Sequence, residues 1–93
     1  MITLIKSKII FNAKIGINYN NSINIAYGID NNFVRPLGIS MTSIINNNPS
    51  NNIIFHIFTD YLDANAQSLL KIFAETTNSI MIIYLINTSI FDK

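Results

Sequence analysis

The sequence predicts an α/β domain in which three short parallel strands alternate with two helices, half of a doubly wound sheet. Three observations carry this. Ile23–Tyr27, Ile53–Thr59 and Ile80–Ile86 are short, isoleucine-rich runs bounded by turn residues. The two segments between them repeat their apolar residues at helical spacing. The second and third runs are apolar on both faces, as strands are when a parallel sheet is covered on both sides.

Taken in order, residues 1–22 hold β-branched clusters around Ile9–Phe11 and Ile15–Ile17 between lysines and asparagines, which suit extended structure but show no clear period, and read as a poorly defined lead-in. The organised domain is expected over residues 23–93. Its first strand runs into a polar turn, Gly28–Asn32. Pro36 suits the first turn of a helix, where a missing N–H costs nothing, and Leu37, Met41, Ile44 and Ile45 then form one apolar face. Asn46–Asn52, with Pro49 inside it, ends that helix. After the second strand come Asp60 and Asp63, either of which suits a helix cap. Ala66, Leu69, Leu70 and Phe73 mark the second helix, which ends near Thr76–Ser79. Crossovers of this kind are right-handed in nearly all sheets, so the order β-α-β-α-β implies parallel strands with packed helices. Nothing in the three-stranded arrangement covers the apolar edge Ile80–Ile86, and self-association through it is expected.

The totals bound the function. Ninety-three residues make one small domain, below the size that usually encloses a two-substrate active site. Apolar residues are 49 % and charged residues 12 %, so asparagine supplies much of the polar surface. The net charge is +1 with scattered Lys and Arg, which argues against nucleic acid as a partner, since no basic patch forms to neutralise several phosphates. With no cysteine there are no disulfides or thiolate metal sites. The longest apolar runs fall far short of the ~20 residues of a membrane-spanning helix. A cytoplasmic location is expected.

The stretch 25–33, IAYGIDNNF, enters as a strand and breaks into a glycine, an acid and two amides. In an open parallel sheet, ligands bind beyond the carboxyl ends of the strands, where this turn falls. Gly28 permits a sharp bend and a close ligand approach. Asp30 offers acceptor oxygens, Asn32 a donor and an acceptor, and Phe33 a flat apolar face for a base. Together they suit a nucleoside. Neither Gly-x-Gly-x-x-Gly nor Gly-Lys-Ser/Thr is present, so a diphosphate is not held in the dinucleotide or P-loop manner, and a divalent cation is the simplest substitute.

NIAYGIDNNF at 24–33, the helix carrying Gly38-x-Ser40-x-x-Ser43-Ile44, and FHIFTD at 55–60 together resemble the beginning of the bacterial lipopolysaccharide core galactosyl- and glucosyltransferases of glycosyltransferase family 8. The resemblance runs from about Asn24 to Asn87. It implies the amino-terminal βαβαβ part of the Rossmann-like, nucleotide-sugar-binding fold called GT-A. The implied activity is transfer of galactose or glucose from UDP-galactose or UDP-glucose to the lipopolysaccharide core, with retention of configuration and Mg²⁺ or Mn²⁺ on the diphosphate. The implied location is the cytoplasm, or the periphery of the inner face of the inner membrane. The family's uridine-binding stretch falls on Gly28, Ile29, Asp30, Asn31, Asn32 and Phe33. Within it, Asp30 would accept from the uracil imide N–H, Asn32 would bond base or ribose, and Phe33 would stack.

One departure is large. Family members hold the metal with an Asp-x-Asp segment at the end of a later strand, and this sequence contains none. The 93 residues are therefore expected to be an amino-terminal portion of the enzyme, inactive alone. A small non-catalytic nucleotide-binding or interaction module and a non-functional truncated gene product are the alternatives. Plain structural readings stand beside the functional ones: Asp30 as a helix cap, Asp60 as a cap or a crevice wall, Arg35 as a solvated side chain, His56 as a hydrogen-bonded core imidazole, and Ser40 and Ser43 as helix residues with no base beside them.

Overall fold

The computed structural model describes residues 5–14 and 21–87, the side chain of Asn31 excepted. Four strands, β1 (Ile5–Phe11), β2 (Ile23–Gly28), β3 (Ile53–Thr59) and β4 (Ile80–Ile86), form one sheet in the order β1-β4-β3-β2. Strands β2, β3 and β4 are parallel, as expected, and β1 runs antiparallel to β4. The helices are α1 (Val34–Asn47) and α2 (Ala64–Thr77), preceded in the first case by a short 3-10 turn at Asn31–Phe33. The protein is thus α/β with a mixed sheet, a partial Rossmann-like fold.

Both helices lie on one face of the sheet, the arrangement that successive crossovers of the same hand produce. Val34, Leu37 and Met41 of α1 and Ala66, Leu70 and Ala74 of α2 bury against Ile53, Phe55 and Ile57 of β3 and Met81 and Ile83 of β4. Phe55, Ile57, Met81 and Ile83 are wholly shielded, and each such side chain stabilises the fold by roughly 1.5–3 kcal/mol. Ile54, Ile80 and Ile82 form a second, smaller cluster on the opposite face, with Tyr84 packed against it.

Capping sets the helix limits. Asp63 caps α2, its Oδ1 accepting from Ala66 N–H at 2.7 Å, so of the two acids before this helix only Asp63 caps it. The helix closes at Asn78, in the left-handed region at φ 56°, with Ser79 N–H donating to Ala74 O at 3.0 Å and Asn78 N–H to Glu75 O at 3.4 Å. That pair of bonds is the Schellman closure, with asparagine in the position glycine more often takes.

Two expectations are corrected. Residues 1–22, read as a poorly defined lead-in and left outside the organised domain, supply β1 at Ile5–Phe11. Its alternation is hidden in the sequence because the pairing with β4 shifts register between Ile5 and Ser7, and an irregularity of that kind breaks the period of two on which strand recognition rests. Strand β1 in turn overturns the expectation of an unpaired Ile80–Ile86 edge. β4 is interior to the sheet, hydrogen-bonded on both sides, and the outer strand on that side carries the exposed Lys6 and Lys8, charges of the sort that discourage edge-to-edge pairing.

Candidate functional site

The carboxyl ends of β2, β3 and β4 lie in one layer, because Gly28 is in register with Phe58 and Phe58 with Tyr84. Beyond them opens a cavity of about 420 Å³ lined by Gly28, Ile29, Asp30 and Phe33 from the first turn and by Phe58, Thr59, Asp60 and Ile86 from the next two strands. Four of the six residues singled out in the sequence therefore meet at one place.

Each is held by the local backbone. Ile29 N–H donates to Phe58 O at 3.0 Å, extending the β2–β3 ladder one residue past the strand. Asp30 is extended and caps the 3-10 turn, its Oδ1 accepting from Asn32 N–H at 2.8 Å. The cap expected of Asp30 is present and occupies one carboxylate oxygen, while the residue remains exposed on the cavity wall. Phe33 is 56 % exposed, with its ring uncovered at the rim.

Gly28 departs from expectation in an informative way. Its φ lies outside the left-handed region, so the bend after β2 does not need glycine, and a Cβ placed there would meet nothing within 4 Å. What the missing side chain leaves open is the cavity beside it.

Asn32 does not line this cavity. It borders a smaller one of about 220 Å³ between the amino-terminal ends of the two helices, with Arg35, Asp63 and Asn65. The side chain of Asn31 lies outside what the structure describes. Sequence reasoning missed Phe58 and Ile86. Their signal was positional: Phe58 is registered with Gly28, and Ile86 stands two residues beyond Tyr84, which is registered with Phe58.

A larger groove of about 640 Å³ runs between α1 and α2, lined by Val34, Gly38, Met41, Leu70 and Phe73 among others. It is almost wholly apolar and lies on the outer helical layer. The strand-end cavity combines apolar walls with two carboxylates, the pattern of a small-molecule site, and occupies the position at which α/β sheets bind ligands.

His56 lies outside this cavity, on the face of the sheet away from the helices. Its Nε2 is 2.9 Å from Asn24 Oδ1 and its Nδ1 2.8 Å from the Tyr84 hydroxyl. Burial holds the imidazole below its ordinary pKa of 6.5. Among the described residues no group of three or more His, Asp or Glu is placed to hold a metal ion. The carboxylates of the cavity, one of them engaged in a cap, do not make a divalent-cation site by themselves. No described helix is long and apolar enough to cross a membrane.

The fold defines the class: a Rossmann-like α/β domain with its crevice on the carboxyl rim of the sheet. Residues 24–93 match the model of glycosyl transferase family 8, and the chain belongs to that family. It is 37 % identical over 67 residues to a lipopolysaccharide 1,3-galactosyltransferase of Salmonella typhimurium, an alignment covering 72 % of this chain and 20 % of that enzyme. It is 40 % identical over 73 residues to a lipopolysaccharide 1,2-glucosyltransferase of Escherichia coli K12, covering 77 % of this chain and 21 % of the relative. Identity to the lipopolysaccharide glucosyltransferase WaaO of the same strain is 40 % over 68 residues, covering 73 % and 20 %. The chain thus spans about a fifth of the length of these relatives. No solved structure gives a significant match.

Proposed function

We propose that this chain is the nucleotide-binding, amino-terminal part of a retaining hexosyltransferase of lipopolysaccharide core synthesis, using UDP-galactose or UDP-glucose as donor in the cytoplasm. The observation that carries the reading is the strand-end cavity. It gathers Gly28, Ile29, Asp30 and Phe33 with the ends of two further parallel strands, in a family whose named relatives move galactose or glucose.

The chemistry of the lining fits a nucleoside. Asp30 keeps one carboxylate oxygen free to accept from an imide N–H, and Phe33 presents an uncovered ring on which a base stacks. Gly28 leaves the floor without a side chain. Ile29 shapes the wall, whereas Asn32 borders the neighbouring smaller cavity and takes no part in this lining.

The diphosphate is handled differently. Among the described residues, no Lys, Arg or His lines the cavity. In this reading a Mg²⁺ or Mn²⁺ ion would neutralise the diphosphate, held by residues other than these 93, since the sequence has no Asp-x-Asp. The 93-residue chain binds the nucleoside end and does not transfer sugar by itself.

The test is a titration of the chain with UDP followed by amide NMR. Shifts are expected at Gly28–Phe33 and at Phe58–Asp60, and are expected to need severalfold more UDP in Asp30→Ala. Absence of any shift at millimolar UDP, or shifts confined to the groove between the helices, would remove the reading.

A further inference from the structure

We propose that Asp60 recognises the ribose of the bound nucleoside, its carboxylate accepting from the vicinal 2′- and 3′-hydroxyls. This rests on the nucleotide reading of the cavity and extends it to a residue outside the 28–33 stretch. The strands place the two acids side by side. Gly28 of β2 is registered with Phe58 of β3, and Asp30 and Asp60 each stand two residues beyond that pair, on the rim of the same cavity.

The structure leaves Asp60 without a structural duty. Asp63 supplies the cap of α2, so Asp60 is not needed there. The residue is exposed, and among the described residues its carboxylate makes no hydrogen bond or ion pair. Asp30, by contrast, has one oxygen committed to Asn32 N–H. The wall that holds Asp30 and the uncovered Phe33 ring takes the base, and the neighbouring acid then faces the sugar.

Chemistry favours this partner. A carboxylate is an acceptor only, and a nucleoside offers it two donors in one place, the vicinal diol. An acid just past the second strand of a βαβ unit bonding a ribose hydroxyl is the geometry used by dinucleotide-binding folds. Here the unit is β2-α1-β3 and the acid is Asp60.

The experiment uses the full chain with free nucleosides in the presence of a chelator, so that no phosphate-bound metal contributes. Wild type is expected to bind uridine about tenfold more tightly than 2′-deoxyuridine, the effect of one charge-assisted hydrogen bond. Asp60→Ala is expected to bring that ratio close to one, whereas Asp30→Ala weakens both nucleosides and leaves the ratio unchanged. Amide dispersion of Asp60→Ala checks that the fold is retained, and Asp60→Asn provides a second variant of unchanged size. A wild-type ratio near one, or a ratio that survives Asp60→Ala, overturns the assignment while the nucleotide reading stands. If wild type binds neither nucleoside, both fall.

Discussion

The Tyr84 hydroxyl donates a hydrogen bond to His56 Nδ1 at 2.8 Å, linking β4 to β3. The direction follows from the third member of the chain. Asn24 Nδ2 donates to Ser22 O at 3.2 Å, which turns Oδ1 toward the imidazole. Nε2 must then carry the proton, and Nδ1 is left as an acceptor. Burial raises the Tyr84 phenol above its ordinary value of 10.0, keeping it a donor at neutral pH. Tyr84 also stacks on Phe58 at 4.4 Å between ring centroids, so the network ties three strands together on the face that no described helix covers.

Protonating His56 disturbs this arrangement, since a second N–H would face the Tyr84 hydroxyl. Among the described residues, the Lys8 ammonium lies 5.4 Å from the centre of the Tyr84 ring. With the folded-state pKa held below 6.5 by desolvation, the unfolded chain binds the proton more readily. Stability is therefore expected to be full above about pH 7 and to fall as pH drops through 6.5 toward the folded value. Urea unfolding between pH 8 and about pH 5 should show the decline, and His56→Gln should flatten it, because this is the only histidine.

Asn12 fixes β1 to the rest of the sheet. At φ 59° its amide donates to Ser79 O at 2.8 Å and to Ala74 O at 3.2 Å, joining the end of β1 to the last turn of α2 and to the residue just before β4. Asn12→Ala loses both bonds and the tolerance of asparagine for the left-handed region. A destabilisation of about 1–3 kcal/mol is expected by denaturant unfolding. Hydrogen exchange should quicken first in Ser7–Phe11 and in the facing residues of β4.

Asn12 also marks where the sequence stopped being legible. The parallel strands, the helices and their order could be read because Ile53–Thr59 and Ile80–Ile86 are predominantly apolar, broken only by His56, Thr59 and Tyr84, and α1 and α2 keep helical spacing. Strand β1 was legible only as β-branched clusters without bounds or pairing, because Lys6, Ser7 and Lys8 fall across a register shift and its partner lies at the far end of the chain. The site divided the same way. Gly28, Asp30 and Phe33 were visible as a local cluster, while Phe58 and Ile86 join them only once the sheet brings three strand ends level.

At Gly28, stability and binding should move in opposite directions. An added methyl meets no atom of the protein within 4 Å and the backbone is not left-handed. Gly28→Ala should therefore be neutral or stabilising, by about 0.4–1 kcal/mol through the unfolded state. The methyl would project beside the proposed nucleoside. UDP affinity measured by NMR titration is expected to drop severalfold in a variant whose unfolding midpoint has not fallen. A lower midpoint would mean that glycine serves the fold.

Phe33 gives the corresponding test of the base. Its ring is 56 % exposed, so truncation removes little buried surface, and Phe33→Ala should shift stability by less than about 0.5 kcal/mol. If the ring is the platform for uracil, the loss in binding is much larger, since stacking a base on an aromatic side chain is worth roughly 1–3 kcal/mol. UDP and uridine should weaken together by about tenfold or more. Phe33→Tyr, which keeps the flat face, should restore most of the affinity, whereas Phe33→Leu, apolar but not flat, should not. Equal rescue by tyrosine and leucine would show that the side chain only fills space at the rim.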